Sequence, residues 1–121
     1  MAFSYLSIRG STRSERQEAI ARAKEAIQAS GGWILDFRLF SNVSISVSFE
    51  VPLNGVERLF SLLVAADIHL DRESEELLAG YRRGREQLSD RRLSTEVPGA
   101  LQLTFIHNEP DLRLEVPAIP G

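Results

Sequence analysis

The chain has 121 residues, a net charge of −3 and no cysteine. The absence of thiols excludes a disulfide framework, a thiolate metal site and a cysteine nucleophile, and the negative balance gives no general attraction to nucleic acid or to an anionic membrane. With 43% hydrophobic and 26% charged residues the composition is that of an ordinary folded domain, and no apolar run approaches the roughly 20 residues that span a bilayer.

Phe3–Arg9 alternates with period two and reads as a strand. It lacks the continuous apolar stretch of a signal peptide, so a cytoplasmic protein is expected. Ser14-Glu15-Arg16-Gln17 has the form of a capping box, with the serine oxygen accepting from a free amide. It predicts a helix over Glu15–Ser30 with a narrow stripe of Ile20, Ala23 and Ile27 flanked by Ala19 and Ala26. Gly31-Gly32 supplies the left-handed residue that ends this helix.

From Trp33 the period changes to two, and Trp33–Val51 reads as a hairpin. Trp33, Leu35, Phe37 and Leu39 form one apolar row, continued by Val43, Ile45, Val47, Phe49 and Val51. A two-residue turn at Ser41-Asn42 would set Leu39 against Ser44. A three-residue loop Phe40-Ser41-Asn42 instead pairs Leu39 with Val43, Phe37 with Ile45 and Trp33 with Phe49, and is the preferred register. The other face carries Asp36, Arg38, Ser44, Ser46, Ser48 and Glu50, with Ile34 as its main apolar member.

Asn54-Gly55-Val56-Glu57 opens a second helix, Gly55–Ala66, with Val56, Leu59, Phe60, Leu63 and Val64 on its apolar stripe. Ile68–Leu70 reads as a short strand. Arg72–Ser89 reads as a third helix with Leu77, Leu78, Tyr81 and Leu88 inside, weakened by Gly80 and Gly84. Its basic cluster, Arg82, Arg83, Arg85, Arg91 and Arg92, is interleaved with acids and reads as a solvated face. Pro98-Gly99 marks a turn, Leu101–His107 a fifth strand, and Pro110–Gly121 an extended tail whose Leu112, Leu114 and Val116 suit docking.

The expected fold is α+β: a ferredoxin-like βαββαβ antiparallel sheet, first and third strands central, both helices on one face. Residues 1–71 make this core, and 72–121 a helix-strand extension of the same single domain. The layout, with Gly31-Gly32-Trp33-Ile34 entering the hairpin and Phe49-Glu50-Val51-Pro52 leaving it, resembles an ACT domain over residues 3–71. Gly31 and Ile34 match that family's Gly-x-Asn-Ile signature, with Trp33 in place of the asparagine. Its Asp-x-Pro-Gly after the first strand is absent, the segment here being Arg9-Gly10-Ser11-Thr12-Arg13. The resemblance implies a regulatory module that binds amino acids or similar ligands, often across a dimer interface.

Arg9-Gly10-Ser11-Thr12-Arg13-Ser14 places two guanidinium groups and three hydroxyls beside the amides of a helix N-terminus. Such a loop suits a carboxylate or phosphate, which makes Arg9, Ser11, Thr12, Arg13 and Ser14 the candidate ligand-binding residues. An ordinary cap with solvated arginines is the plainer reading. His69-Leu70-Asp71 and His107-Asn108-Glu109 each set an imidazole two residues from a carboxylate, and adjacent strands would let the four converge on a metal. No nucleophile motif or phosphate-binding glycine pattern is present, and no cofactor is expected. A homodimer or higher symmetric oligomer is expected through the serine-rich sheet face, completed by Phe3, Tyr5 and Ile34. Three functions follow: a non-enzymatic small-molecule sensor, a structural or protein-interaction domain, and a metal-binding protein or small enzyme using His69 and His107.

Overall fold

Five strands and four helices follow one another in the computed structural model, which describes residues 4–106. They are β1 (Leu6–Thr12), α1 (Arg16–Ala29), β2 (Trp33–Ser41), β3 (Ser44–Pro52), α2 (Val56–Ala65), β4 (His69–Leu70), α3 (Arg72–Gly84), α4 (Asp90–Leu93) and β5 (Glu96–Phe105). Single 3-10 turns precede α2 and follow α3. The fold is α+β, as expected. Phe3, the tail and the His107-Asn108-Glu109 half of the histidine pattern lie outside the described residues.

The sheet runs β2-β3-β5-β1-β4. In the expected antiparallel order β1 and β3 would be neighbours. Instead β5 lies between them, parallel to β1 and antiparallel to β3, so the sheet is mixed. The segment read as an extension supplies its middle strand. Pro98-Gly99 is therefore not a turn but part of β5, and two local facts make this possible. The N–H of Phe105 points to β3 and that of Ile106 to β1, so by alternation an N–H at position 98 would point to β1. There β1 has not begun, because its first rung is Leu6 opposite Gly99; the proline forfeits no ladder bond. Gly99 in turn admits Phe49 and Leu6, since an added Cβ would lie 2.8 Å from the Phe49 ring and 2.7 Å from the Leu6 carbonyl oxygen.

One face of this sheet is buried. Leu6 and Ile8 of β1, Ile45, Val47, Phe49 and Val51 of β3, and Val97, Leu101, Leu103 and Phe105 of β5 form one cluster with the inner sides of the helices. From α1 come Ala19, Ala23, Ala26 and Ile27 of the expected stripe, with Ile20 only partly buried; from α2 come Val56, Leu59, Phe60 and Leu63. Val64, expected on that stripe, is exposed. Both helices end in the same motif, an N–H one residue past the left-handed position reaching back to a carbonyl in the last turn. Gly31 (φ 90°) is that residue for α1 and Asp67 (φ 62°) for α2, with Gly32 N–H bonded to Ile27 and Ile68 N–H to Leu63. The α2 N-cap is Gly55, without a side-chain bond, rather than Asn54. The third helix stops at Gly84, short of Ser89, which caps α4 instead. Tyr81 is buried as expected, its hydroxyl donating to the Leu53 carbonyl at 2.6 Å, and Arg82 ties α3 to Glu57 of α2 at 2.8 Å.

The hairpin register differs from the expected one. The turn is Asn42-Val43, and Leu39 pairs with Ile45, Phe37 with Val47 and Ile34 with Phe49. Register shifts between Ile34 and Asp36, and between Leu39 and Ser41, leave Leu35 and Phe40 as extra residues on β2. The first shift moves Trp33 to the polar face, opposite Glu50, and Ile34 to the helix side. A strict period-two count cannot anticipate such an insertion.

Gly99→Ala is expected to destabilise the protein by about 1–3 kcal/mol, because neither the Leu6 carbonyl nor the packed Phe49 ring can retreat. Gly80→Ala should stabilise it by about 1 kcal/mol, since its Cβ would meet only a guanidinium nitrogen of Arg83 at 3.8 Å. Urea unfolding of the two variants beside the native chain measures both.

Candidate ligand-binding face

The segment expected to be a loop is mostly strand: Arg9, Gly10, Ser11 and Thr12 belong to β1. Alternation therefore scatters its side chains. Thr12 points inward, fully buried, and its hydroxyl accepts from the Ser14 N–H at 3.1 Å. Arg13 and Ser14 line a small depression with Asp67 and His69, whereas Arg9 and Ser11 face the open side. The α1 cap is Glu15 rather than Ser14, its carboxylate accepting from the N–H groups of Gln17 and Glu18 at 3.0 Å each. These bonds hold the Glu15 carboxyl below its ordinary value. The two amides that could have met an external anion are thus occupied by the chain's own carboxylate.

The open face is built in rows, because directly opposed residues share a side. Arg38, Ser46, Gln102 and Arg9 form one row across β2, β3, β5 and β1; Asp36, Ser48, Ala100 and Ser7 form the next. A depression of about 380 Å³ lies over them, with Tyr5 and Phe40 also on its wall. At about 4.8 Å per strand the α-carbons of Arg9 and Arg38 stand about 14 Å apart. Two arginine side chains can close that span on a molecule of amino-acid size.

Arg9 is held from behind. Its N–H donates to the Ser74 hydroxyl at 2.8 Å, and its carbonyl accepts from the Asp71 N–H at 3.0 Å. Ser74 is itself buried, and its N–H donates to the Asp71 carboxylate at 2.8 Å. That carboxyl also lies below its ordinary value, chiefly through this backbone bond. The N-terminus of α3 therefore extends the β4 edge and fixes the strand that carries Arg9. Sequence reasoning missed Ser74, although Asp71-Arg72-Glu73-Ser74 is a recognisable helix start. Arg38 is met on its own strand by Asp36, at 3.1 Å from Nε.

Among the described residues no three of His, Cys, Asp and Glu come together to hold a metal, and no helix is long and apolar enough to cross a membrane. Comparison of the chain with models of protein families, with curated proteins and with solved structures finds no match in any of the three.

The Glu15 cap makes a pH prediction. Its carboxyl is depressed in the folded state, so its contribution is complete above the ordinary value of 4.5 and is lost as pH falls through the lower folded value. Glu15→Gln should lower the melting temperature at neutral pH and flatten its decline below pH 4.5, which a series of thermal melts from neutral pH into acid will read.

Proposed function

We propose that the chain is a non-enzymatic binding module whose open sheet face takes a small carboxylate of amino-acid size. One observation carries the reading: Arg9 and Arg38 flank a floor of serines and Gln102 on a face that, among the described residues, no helix covers. An arginine can hold a carboxylate through two parallel hydrogen bonds, each charge-assisted. Asp36, beside Arg38, offers a partner for an amine, and Tyr5 and Phe40 offer apolar walls. The ligand class is the one implied by the resemblance to ACT domains. We read β1 to β4 with α1 and α2 as a ferredoxin-like unit opened by the insertion of β5. As a sensor it would act through differential binding, the ligand favouring one arrangement of subunits over another.

Calorimetric titration with the amino acids and with short dicarboxylates tests this. Arg9→Ala should weaken the binding found at least about tenfold, the loss of one charge-assisted contact worth about 1.5–3 kcal/mol. Arg13→Ala, on the separate depression with Asp67 and His69, should leave it unchanged. The reverse pattern would move the site to the end of β1, and no binding among these ligands would remove the proposal. The exposed apolar residues of β2 favour a second role, association, which the ligand reading does not require.

A further inference from the structure

We propose that β2 pairs antiparallel with β2 of a second copy about a two-fold axis at Phe37, joining two sheets into one. β2 is nine residues long and ends the sheet, so among the described residues one of its edges has no partner strand. It is also strongly apolar: Trp33, Leu35, Phe37, Leu39 and Phe40 are 37–58% exposed. Long, apolar, unpaired edges are those that recruit another strand.

The backbone polarity of this edge is determined. Phe105 donates to the Val43 carbonyl, so odd-numbered residues of β3 direct their polar groups to β5 and even-numbered ones to β2. Asp36 and Arg38, opposite Ser48 and Ser46, therefore direct theirs inward. Phe37 and Leu39 direct theirs outward, away from the sheet. The outward N–H of Phe37 is closed off by its neighbour, the Asp36 carboxylate, at 2.9 Å. A side chain standing in for a missing strand in this way can be displaced by one.

Charge then selects the register and the occupant. Edge charges of a single sign repel a second copy, whereas opposite charges two residues apart make an edge complementary to itself. An axis at Phe37 sets Asp36 opposite the partner's Arg38, and Arg38 opposite the partner's Asp36, on the open face. It also sets Leu35 opposite the partner's Leu39 and lets the two Phe37 backbones exchange their N–H and carbonyl groups. An axis at Asp36 or Arg38 would oppose like charges; one at Leu39 would set Asp36 against Asn42 and Arg38 against Phe40. Forming the dimer exchanges the contact between Asp36 and Arg38 within each of the two strands for two such contacts between strands.

Sedimentation velocity without added ligand, on the full chain and two exposed variants, tests the pairing; it reads assembly alone, whereas the ligand reading is tested at Arg9. The native chain should be a dimer at tens of micromolar. Asp36→Arg alone and Arg38→Asp alone each oppose like charges twice, and should raise the dimer dissociation constant at least about tenfold. An equimolar mixture of the two variants should recover the dimer, because every opposed pair is then again one acid and one arginine. Circular dichroism of each variant establishes that its fold is retained. A monomeric native chain overturns the proposal; so do charge variants that dimerise like the native chain, or a mixture of folded variants that stays monomeric.

Discussion

β1 is held to β5 by a parallel ladder running from Leu6 opposite Gly99 to Thr12 opposite Phe105, and the width of the sheet follows from it. Inserting β5 displaces the β2-β3 hairpin one strand outward. Two helices packed side by side, at about 10 Å each, shelter about four strands at about 4.8 Å each. Among the described residues the sheet has five, and α3 docks at the β1 side through Ser74 and Asp71, while its Tyr81 bonds Leu53 ahead of α2. Among the described residues the strand left without cover is β2. This is why Ile45 and Val47 of β3 are fully buried, while Leu39 and Phe37, directly opposite them, are half in water.

The same ladder sets what the open face presents. Parallel pairing brings Arg9 beside Gln102, and antiparallel pairing carries the row on to Ser46 and Arg38. The backbone of Arg9 is anchored by a buried serine on a helix about sixty-five residues later in the chain. That arrangement fixes the strand in advance of any ligand, so binding would not have to order it. The edge and the face thus share a cause: a strand contributed late in the chain, seated between two that come earlier in it.

The candidate site was partly legible. Arg9 reads in the sequence as a guanidinium near a helix start, whereas the structure sets it on the open sheet face beside Gln102, Ser46 and Arg38. A strand continuing to Thr12 sends Arg9 and Ser11 to one side and Thr12 to the other, and Glu15 occupies the amides the loop was meant to offer. The serine-rich row of β3 was legible as a polar face because alternation is local. That Gln102 and Arg9 would complete it was not, since no local period reports which strand lies next to which.

What the sequence by itself determined is the kind and rough extent of most local elements, though not α4 or the first half of β5. The α1 stripe, the Gly31 stop, the apolar row of β3 and the inward Tyr81 all come from side chains three, four or two residues apart, within reach of one another in any context. Tertiary structure alone decided that Pro98-Gly99 is strand rather than turn. The proline falls where β1 offers nothing to accept its missing hydrogen, and the glycine falls under Phe49. It likewise decided the order β2-β3-β5-β1-β4 and the exposure of β2. Those depend on which buried faces find each other across the whole chain, and periodicity carries no record of that choice.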